Sequence, residues 1–352
     1  MKALVLVFAA QAFQLIENTP LAGASAYLEI WARWDAVHYL NIAGHGYTAA
    51  GDDRFLIVFF PLYPILVAMA GVVTRDLLVA GFVVSGIASV VLALLLHSLA
   101  RLDQTPRTAY LAVFFLFIFP TSYFLHIPYT ESLFLCFVVG AFLAARHRFW
   151  LITGSLGALA CATRVNGLIL LPALAFEAWA AYRENGELDR RCLFLLAMPA
   201  GFIAYLILNY CITGDPLMFM TYQNEHWHRY LRWPWEGIWE AAKRVGSESA
   251  ADALMVGVAE LFFTAIGLAA IIGGWKYLRG SYFVWMCLNW LLFVSTSFVL
   301  SVPRYTLTLF PLFILMAIMA RRRPLIFTAF TAASLLYLGL FSTQFVRGWW
   351  AF

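Results

Sequence analysis

Residues 33–48, RWDAVHYLNIAGHGYT, place Arg33, Asp35, His38 and His45 among Trp34, Tyr39 and Tyr47. An acid in this company suits general-base work. Aromatic neighbours thin the hydration of a carboxylate and favour proton acceptance. Asp35 is therefore the leading catalytic candidate; its competing role is a helix cap or an ion-pair partner for Arg33. Arg164 and Asn166 lie in TRVNG, between two short apolar runs, where a cation is costly unless it faces a cavity or a partner. Arg304 follows Pro303 at the head of another run, with snorkelling as its competing role. Guanidinium matches phosphate oxygens bidentately, so Arg164 and Arg304 are the candidates for holding a lipid phosphate. Glu131 opens a run in PYTESLF, where capping competes with function. Gln223, Trp227 and Arg229 can hydrogen-bond hydroxyls and stack on a sugar ring, as an aromatic interfacial belt would also explain. Arg33, Trp34, His38, Tyr63, His126 and Tyr129 complete the set of candidate substrate contacts.

Other chemistries find little support. His38, His45 and His126 lack the HxH or HxxxH spacing of a metal site, so no metal cofactor is expected, although a divalent ion beside Asp35 and Glu131 stays open. The five cysteines, Cys136, Cys161, Cys192, Cys211 and Cys287, lie in or at the end of apolar runs. They read as small buried hydrophobes, neither disulfides nor metal pairs. A net charge of +4 is too small to argue for nucleic acid. No Gly-rich phosphate loop or dinucleotide fingerprint is present, so a phosphate-bearing substrate must come from the membrane or from outside.

These residues must be positioned by membrane helices. The chain of 352 residues is 63% hydrophobic and only 12% charged, against about 25% charged in soluble domains. Its apolar runs are continuous and helix-length, without the alternation of an outer-membrane barrel. Helices are expected near 3–16, 77–100, 106–126, 130–145, 149–163, 167–182, 192–212, 251–273, 281–301, 304–320 and 324–343. Ala24–Ala26 resembles a signal-cleavage site, but it lies well past the apolar core, and an uncleaved first span is expected. The run 55–74 is ambiguous. Basic residues cluster at Arg101/Arg107, Arg146/Arg148, Arg183/Arg190/Arg191, Lys276/Arg279 and Arg321–Arg323. The positive-inside rule places all of these links in the cytoplasm only if 55–74 stays in the outer interface or dips in and returns. Pro61 and Pro64 interrupt a straight helix there in any case. The prediction is a single all-α domain over 1–352 with about eleven spans, a cytoplasmic N-terminus and an external C-terminus. Two large external segments, 17–76 and 213–250, result. Polar residues gather on one membrane face from unconnected parts of the chain.

RWDAVHYLNIAGHGY, FFPLYP at 59–64, PYTESLF at 128–134, TRVNG at 163–167 and GDPLMF at 214–219 together resemble the PIG-V family. The resemblance runs from about residue 30 to 235, and PRY at 303–305 extends it. PIG-V proteins are GT-C glycosyltransferases whose eukaryotic members are GPI mannosyltransferases. The resemblance implies the GT-C fold and an inverting transfer of a sugar, mannose by family, from a polyprenyl- or dolichyl-phosphate donor to a glycan or glycolipid acceptor. It puts the acidic residue of the first external loop at Asp35 and implies juxtamembrane helices in that loop. The chain reads as a prokaryotic relative, which predicts a plasma-membrane enzyme with its site outside, or an ER-membrane one if the source is eukaryotic. Two other readings stay open. One is a GT-C transferase of another, undecaprenyl-phosphate-linked sugar to a cell-envelope glycan or lipid. The other is a lipid-linked-sugar transporter or flippase, which would place paired broken helices at mid-membrane.

Overall fold

The structure, a computed structural model, describes residues 2–187, 189–247 and 249–352. Glu248, inside the predicted 213–250 segment, lies outside them. Among the described residues the regular structure is helical, joined by turns and loops, with an isolated antiparallel bridge between Leu231 and Thr296. By length and composition, five helical stretches, some of them built of two or more consecutive segments, can cross a membrane: Leu77–Arg101, Val165–Asn185, Arg190–Thr213, Ala250–Gly274 and Pro324–Val346.

Several expected runs are broken, and proline accounts for most of the breaks. The 106–126 run ends its helix at Ile118, two residues before Pro120. The 192–212 run divides into Arg190–Ala197 and Ala200–Thr213 around Pro199. The 304–320 run divides into Val302–Thr306 and Pro311–Ala320. Proline lacks the N–H that continues a helix and restricts the residue before it. The 281–301 run stops at Val294 for another reason. Its continuation leaves the helix to pair with a loop, with the Ser297 N–H donating to the Tyr230 carbonyl at 2.8 Å. The ambiguous 55–74 run forms two helices, Asp52–Val58 and Leu62–Thr74, interrupted at Phe59–Pro61.

The chain divides into two compact units. The first comprises Met1–Gly46, Tyr63–Leu133 and Met316–Phe352. In it the Lys2–Glu17 helix packs on Pro324–Val346, and Leu77–Arg101 packs on Pro106–Ile118 and on Asp35–His45. Its core is aromatic: Trp31, Tyr123, Phe124, Tyr129 and Phe345 meet edge-on or tilted. Gly23–Glu29 and Asp35–His45 are the short helices that follow the first long one.

The second unit comprises Tyr47–Leu62 and Phe134–Leu315. Here the Trp150–Thr163 helix packs against Arg190–Ala197 and Ala200–Thr213 through small residues. A Cβ at Gly154 would fall on the Phe194 carbonyl, and one at Gly201 on the Ala158 carbonyl. Without Cβ atoms the two backbones approach closely, which is how helices associate where lipid is as apolar as leucine. Gly201→Ala should lower the melting temperature of the detergent-solubilised protein, with a cost of about 1–3 kcal/mol or more from overpacking. An unchanged melting temperature would remove the argument for this contact.

In the same unit a buried carboxylate in the middle of the Leu170–Asn185 helix ties in the ends of two others, Glu131–Arg146 and Gly280–Val294. Glu177 accepts from Arg279 Nε at 2.9 and 2.8 Å and from Ser281 Oγ at 2.6 Å, with Arg146 Nε at 3.7 Å. Arg146 and Arg279 belong to the basic links used above as topology signals, and here they also neutralise a buried charge.

Candidate active site

In the first unit, Asp35 opens the helix Asp35–His45, and the residue before it is strained. Trp34 has φ 52° and ψ −127°. A bulky side chain rarely adopts such a conformation, which persists only where the surroundings enforce it. Three contacts do so. The Trp34 ring meets Trp350 edge-on with centroids 5.2 Å apart. The Tyr129 hydroxyl donates to the Arg33 carbonyl at 3.0 Å, and Arg33 Nη2 reaches the Val346 carbonyl at 3.4 Å. The turn that presents Asp35 is thereby held from both sides. Asp35 is half-buried, as is His38 on the next turn.

One helical turn from Asp35, Tyr39 lies edge-on to Tyr63, with centroids 5.3 Å apart, and to Tyr129 at 6.2 Å. Glu131 is fully buried, opens the helix Glu131–Arg146, and its charge acts on Tyr63. Arg33, Trp34, Asp35, Tyr63, Tyr129 and Glu131 thus share one neighbourhood. Two of the expected substrate contacts are buried in this unit. Tyr63 is fully buried, its hydroxyl 2.9 Å from Ser85 Oγ and 3.2 Å from the Gly81 carbonyl, so it belongs to the core. His126 is buried beside Phe117, with neither ring nitrogen in a hydrogen bond, because the chain after Ile118 folds inward and does not emerge.

In the second unit three arginines converge on one phenol. Arg164 follows the Trp150–Thr163 helix in extended conformation, where the helix breaks before Val165–Ile169. Its guanidinium lies 5.6 Å from the Tyr305 ring and 5.9 Å from Phe134. Arg229 Nη1 donates to the Tyr305 hydroxyl at 2.7 Å, its guanidinium 5.2 Å from the ring. Arg304 is buried next to Tyr305 in the chain, and the charges of all three arginines reach that hydroxyl. Aromatic faces offset part of their mutual repulsion. Cations gathered on low-dielectric walls focus a field that favours an anion.

The remaining candidates position this cluster. Asn166 Nδ2 donates to Asn289 Oδ1 at 3.0 Å, and Asn289 Nδ2 donates to the Trp285 carbonyl at 2.9 Å, which pins the broken helix beside Arg164. The Gln223 carbonyl accepts from the Arg229 N–H at 3.0 Å and turns the chain there. Trp227 stands edge-on to Phe59 at 5.9 Å and to His226 at 5.1 Å. Among the described residues no three His, Cys, Asp or Glu side chains are grouped to hold a metal ion. All five cysteines are free thiols. Tyr305, Asn289 and Trp350 were not foreseen; Tyr305 is the neighbour of Arg304 in PRY, and the other two carry no sequence signal.

A family model described as Mannosyltransferase (PIG-V) matches residues 14–227. GPI alpha-1,6-mannosyltransferase 2 of Rattus norvegicus is 35% identical over 150 residues, 39% of this chain and 30% of that protein. The Mus musculus protein of the same name is 36% identical over 152 residues, 40% of this chain and 30% of its own length. The matches span under a third of these curated relatives. Among solved structures, ArnT from Cupriavidus metallidurans bound to undecaprenyl phosphate superposes with a TM-score of 0.55 at 15% identity, covering 98% of this chain and 69% of that one. The oligosaccharyltransferase AglB from Archaeoglobus fulgidus, in complex with an inhibitory peptide and a dolichol-phosphate, gives a TM-score of 0.52 at 14% identity, covering 97% and 56%. At these identities the likeness establishes the fold, which is that of GT-C enzymes.

Proposed function

The chain belongs to the PIG-V mannosyltransferase family, and from that membership we propose that this integral, multi-pass membrane protein moves mannose from a polyprenyl- or dolichyl-phosphate carrier to a hydroxyl of a glycan or glycolipid. The transfer inverts the anomeric configuration and takes place at the external or lumenal face. The observation that carries the proposal is the convergence of Arg164, Arg229 and Arg304 on Tyr305, a cation cluster suited to a lipid phosphate. Asp35 is assigned the general base. It takes the proton of the acceptor hydroxyl as that oxygen attacks C1 of the sugar. The bond from C1 to the phosphate oxygen breaks, and the polyprenyl phosphate leaves with the electron pair, its charge stabilised by the arginines. The strain at Trp34 and the clamp on Arg33 support this role, since a base must be held in place to act. Arg33, Trp34, Tyr129 and Glu131 share the neighbourhood of Asp35, and in the second unit the Gln223 carbonyl turns the chain at Arg229.

A second reading changes the sugar, its carrier and the acceptor. The fold neighbour ArnT is bound to undecaprenyl phosphate, which favours an undecaprenyl-linked sugar passed to an envelope glycan or lipid. The test incubates the purified full chain, in lipid nanodiscs, with dolichyl-phosphate mannose, undecaprenyl-phosphate sugars and GDP-mannose, each with a panel of glycolipid and oligomannoside acceptors. Transfer from dolichyl-phosphate mannose with an inverted linkage by NMR is expected. Transfer from GDP-mannose alone, or from no lipid-phosphate sugar, would overturn the proposal.

A further inference from the structure

Glu260 is fully buried in the Ala259–Gly274 helix, directly after the π-helical turn Ala253–Val258. The reaction above gives it no task. A lone acid in an apolar span is costly unless its oxygens are fully paired. Its partners are consecutive backbone donors: the Ser301 N–H reaches Oε1 at 2.6 Å, and the Val302 N–H reaches Oε2 at 2.7 Å. These donors head the turn Val302–Thr306, which carries Arg304 and Tyr305. The turn needs support from outside, because Ser301 sits at φ 68°, in the left-handed region that non-glycine residues seldom occupy. Both carboxylate oxygens are used, and both grip the same short piece of chain. Further along that piece, Tyr305 is held by Arg229.

We infer that Glu260 is a positioning residue: by accepting from Ser301 and Val302 it fixes the turn that delivers Arg304 and Tyr305 to the arginine cluster, and so sets the affinity for a lipid phosphate. The inference rests on the reading of that cluster as the phosphate site. Glu260→Gln replaces one acceptor oxygen by an NH2 group facing a backbone N–H, so one of the two bonds is lost.

The readout is the dissociation constant for dolichyl phosphate, measured on the full chain in nanodiscs for the wild type, Glu260→Gln, Arg304→Ala and the double variant. Glu260→Gln should weaken binding about tenfold, the worth of one hydrogen bond to a charged group. The double variant should bind within about twofold of Arg304→Ala, since two residues acting through one contact are not additive. Glu260→Asp, which keeps the charge one methylene short, stands in if the glutamine variant does not fold. A stable Glu260 variant that binds like wild type, while Arg304→Ala is weakened, overturns the inference. So does an additive double variant. If Arg304→Ala itself binds like wild type, the phosphate reading of the cluster is what fails. A purely structural role would lower the melting temperature without moving the dissociation constant.

Discussion

Asp35→Asn is expected to lower turnover by about 10²–10⁴-fold, the usual contribution of a positioned general base. Asparagine has the same shape as aspartate and suits the head of a helix equally well, so the Asp35–His45 helix should form as before. Tyr129 and Val346 grip Arg33, and Trp350 grips Trp34, contacts made by atoms that the substitution leaves in place. What asparagine cannot do is accept the acceptor's proton. The melting temperature should stay at the wild-type value, and donor binding should change little. Turnover with dolichyl-phosphate mannose should collapse. Near wild-type turnover in Asp35→Asn would end the assignment. Asp35→Glu serves as a control: it keeps the base but displaces it by a methylene, so it should fall between the two.

The sequence made Asp35 visible because charge is scarce in the chain as a whole. In a chain with 12% charged residues, an acid beside Trp34 and Tyr39 stands out, and the same scarcity marked Arg164 in TRVNG. Helix ends were legible where proline set them, but an apolar run hides which proline breaks it. The runs 106–126, 192–212 and 304–320 each looked continuous, and each is interrupted near Pro120, Pro199 or Pro311. Burial was the least legible property. Tyr63 and His126 have the composition of binding residues, yet both lie inside the core, a matter of tertiary packing that spacing does not encode. Contacts between distant segments were also out of reach. Nothing near Arg229 announces Tyr305, 76 residues away, and nothing in the PRY turn announces Glu260. Glu260, in the middle of the 251–273 run, was nevertheless a signal, because an intramembrane acid calls for a partner.

Arg164→Lys should weaken lipid-phosphate donor binding about 10–100-fold, the range for a lost hydrogen bond to a charged group. The substitution keeps the positive charge and removes the planar fork. Lysine offers a single strongly hydrated point charge in place of five donors in fixed geometry. At Arg164 that difference is amplified by the surroundings. The guanidinium packs over Phe134 and Tyr305, faces that suit a flat, weakly hydrated cation better than an ammonium. Its backbone is extended between two helical pieces, and the pair Asn166–Asn289 holds the next turn, so the chain has little freedom to re-aim a shorter reach. If Arg164 serves the donor phosphate, the donor KM should rise while the acceptor KM stays within about twofold and turnover at saturating donor changes less, the pattern of lost ground-state binding. Raising salt should weaken donor binding less in Arg164→Ala than in wild type, because that variant has one ionic contact fewer to screen. A variant that raises both KM values equally would place Arg164 in the architecture of the broken helix and leave phosphate recognition to Arg229 and Arg304.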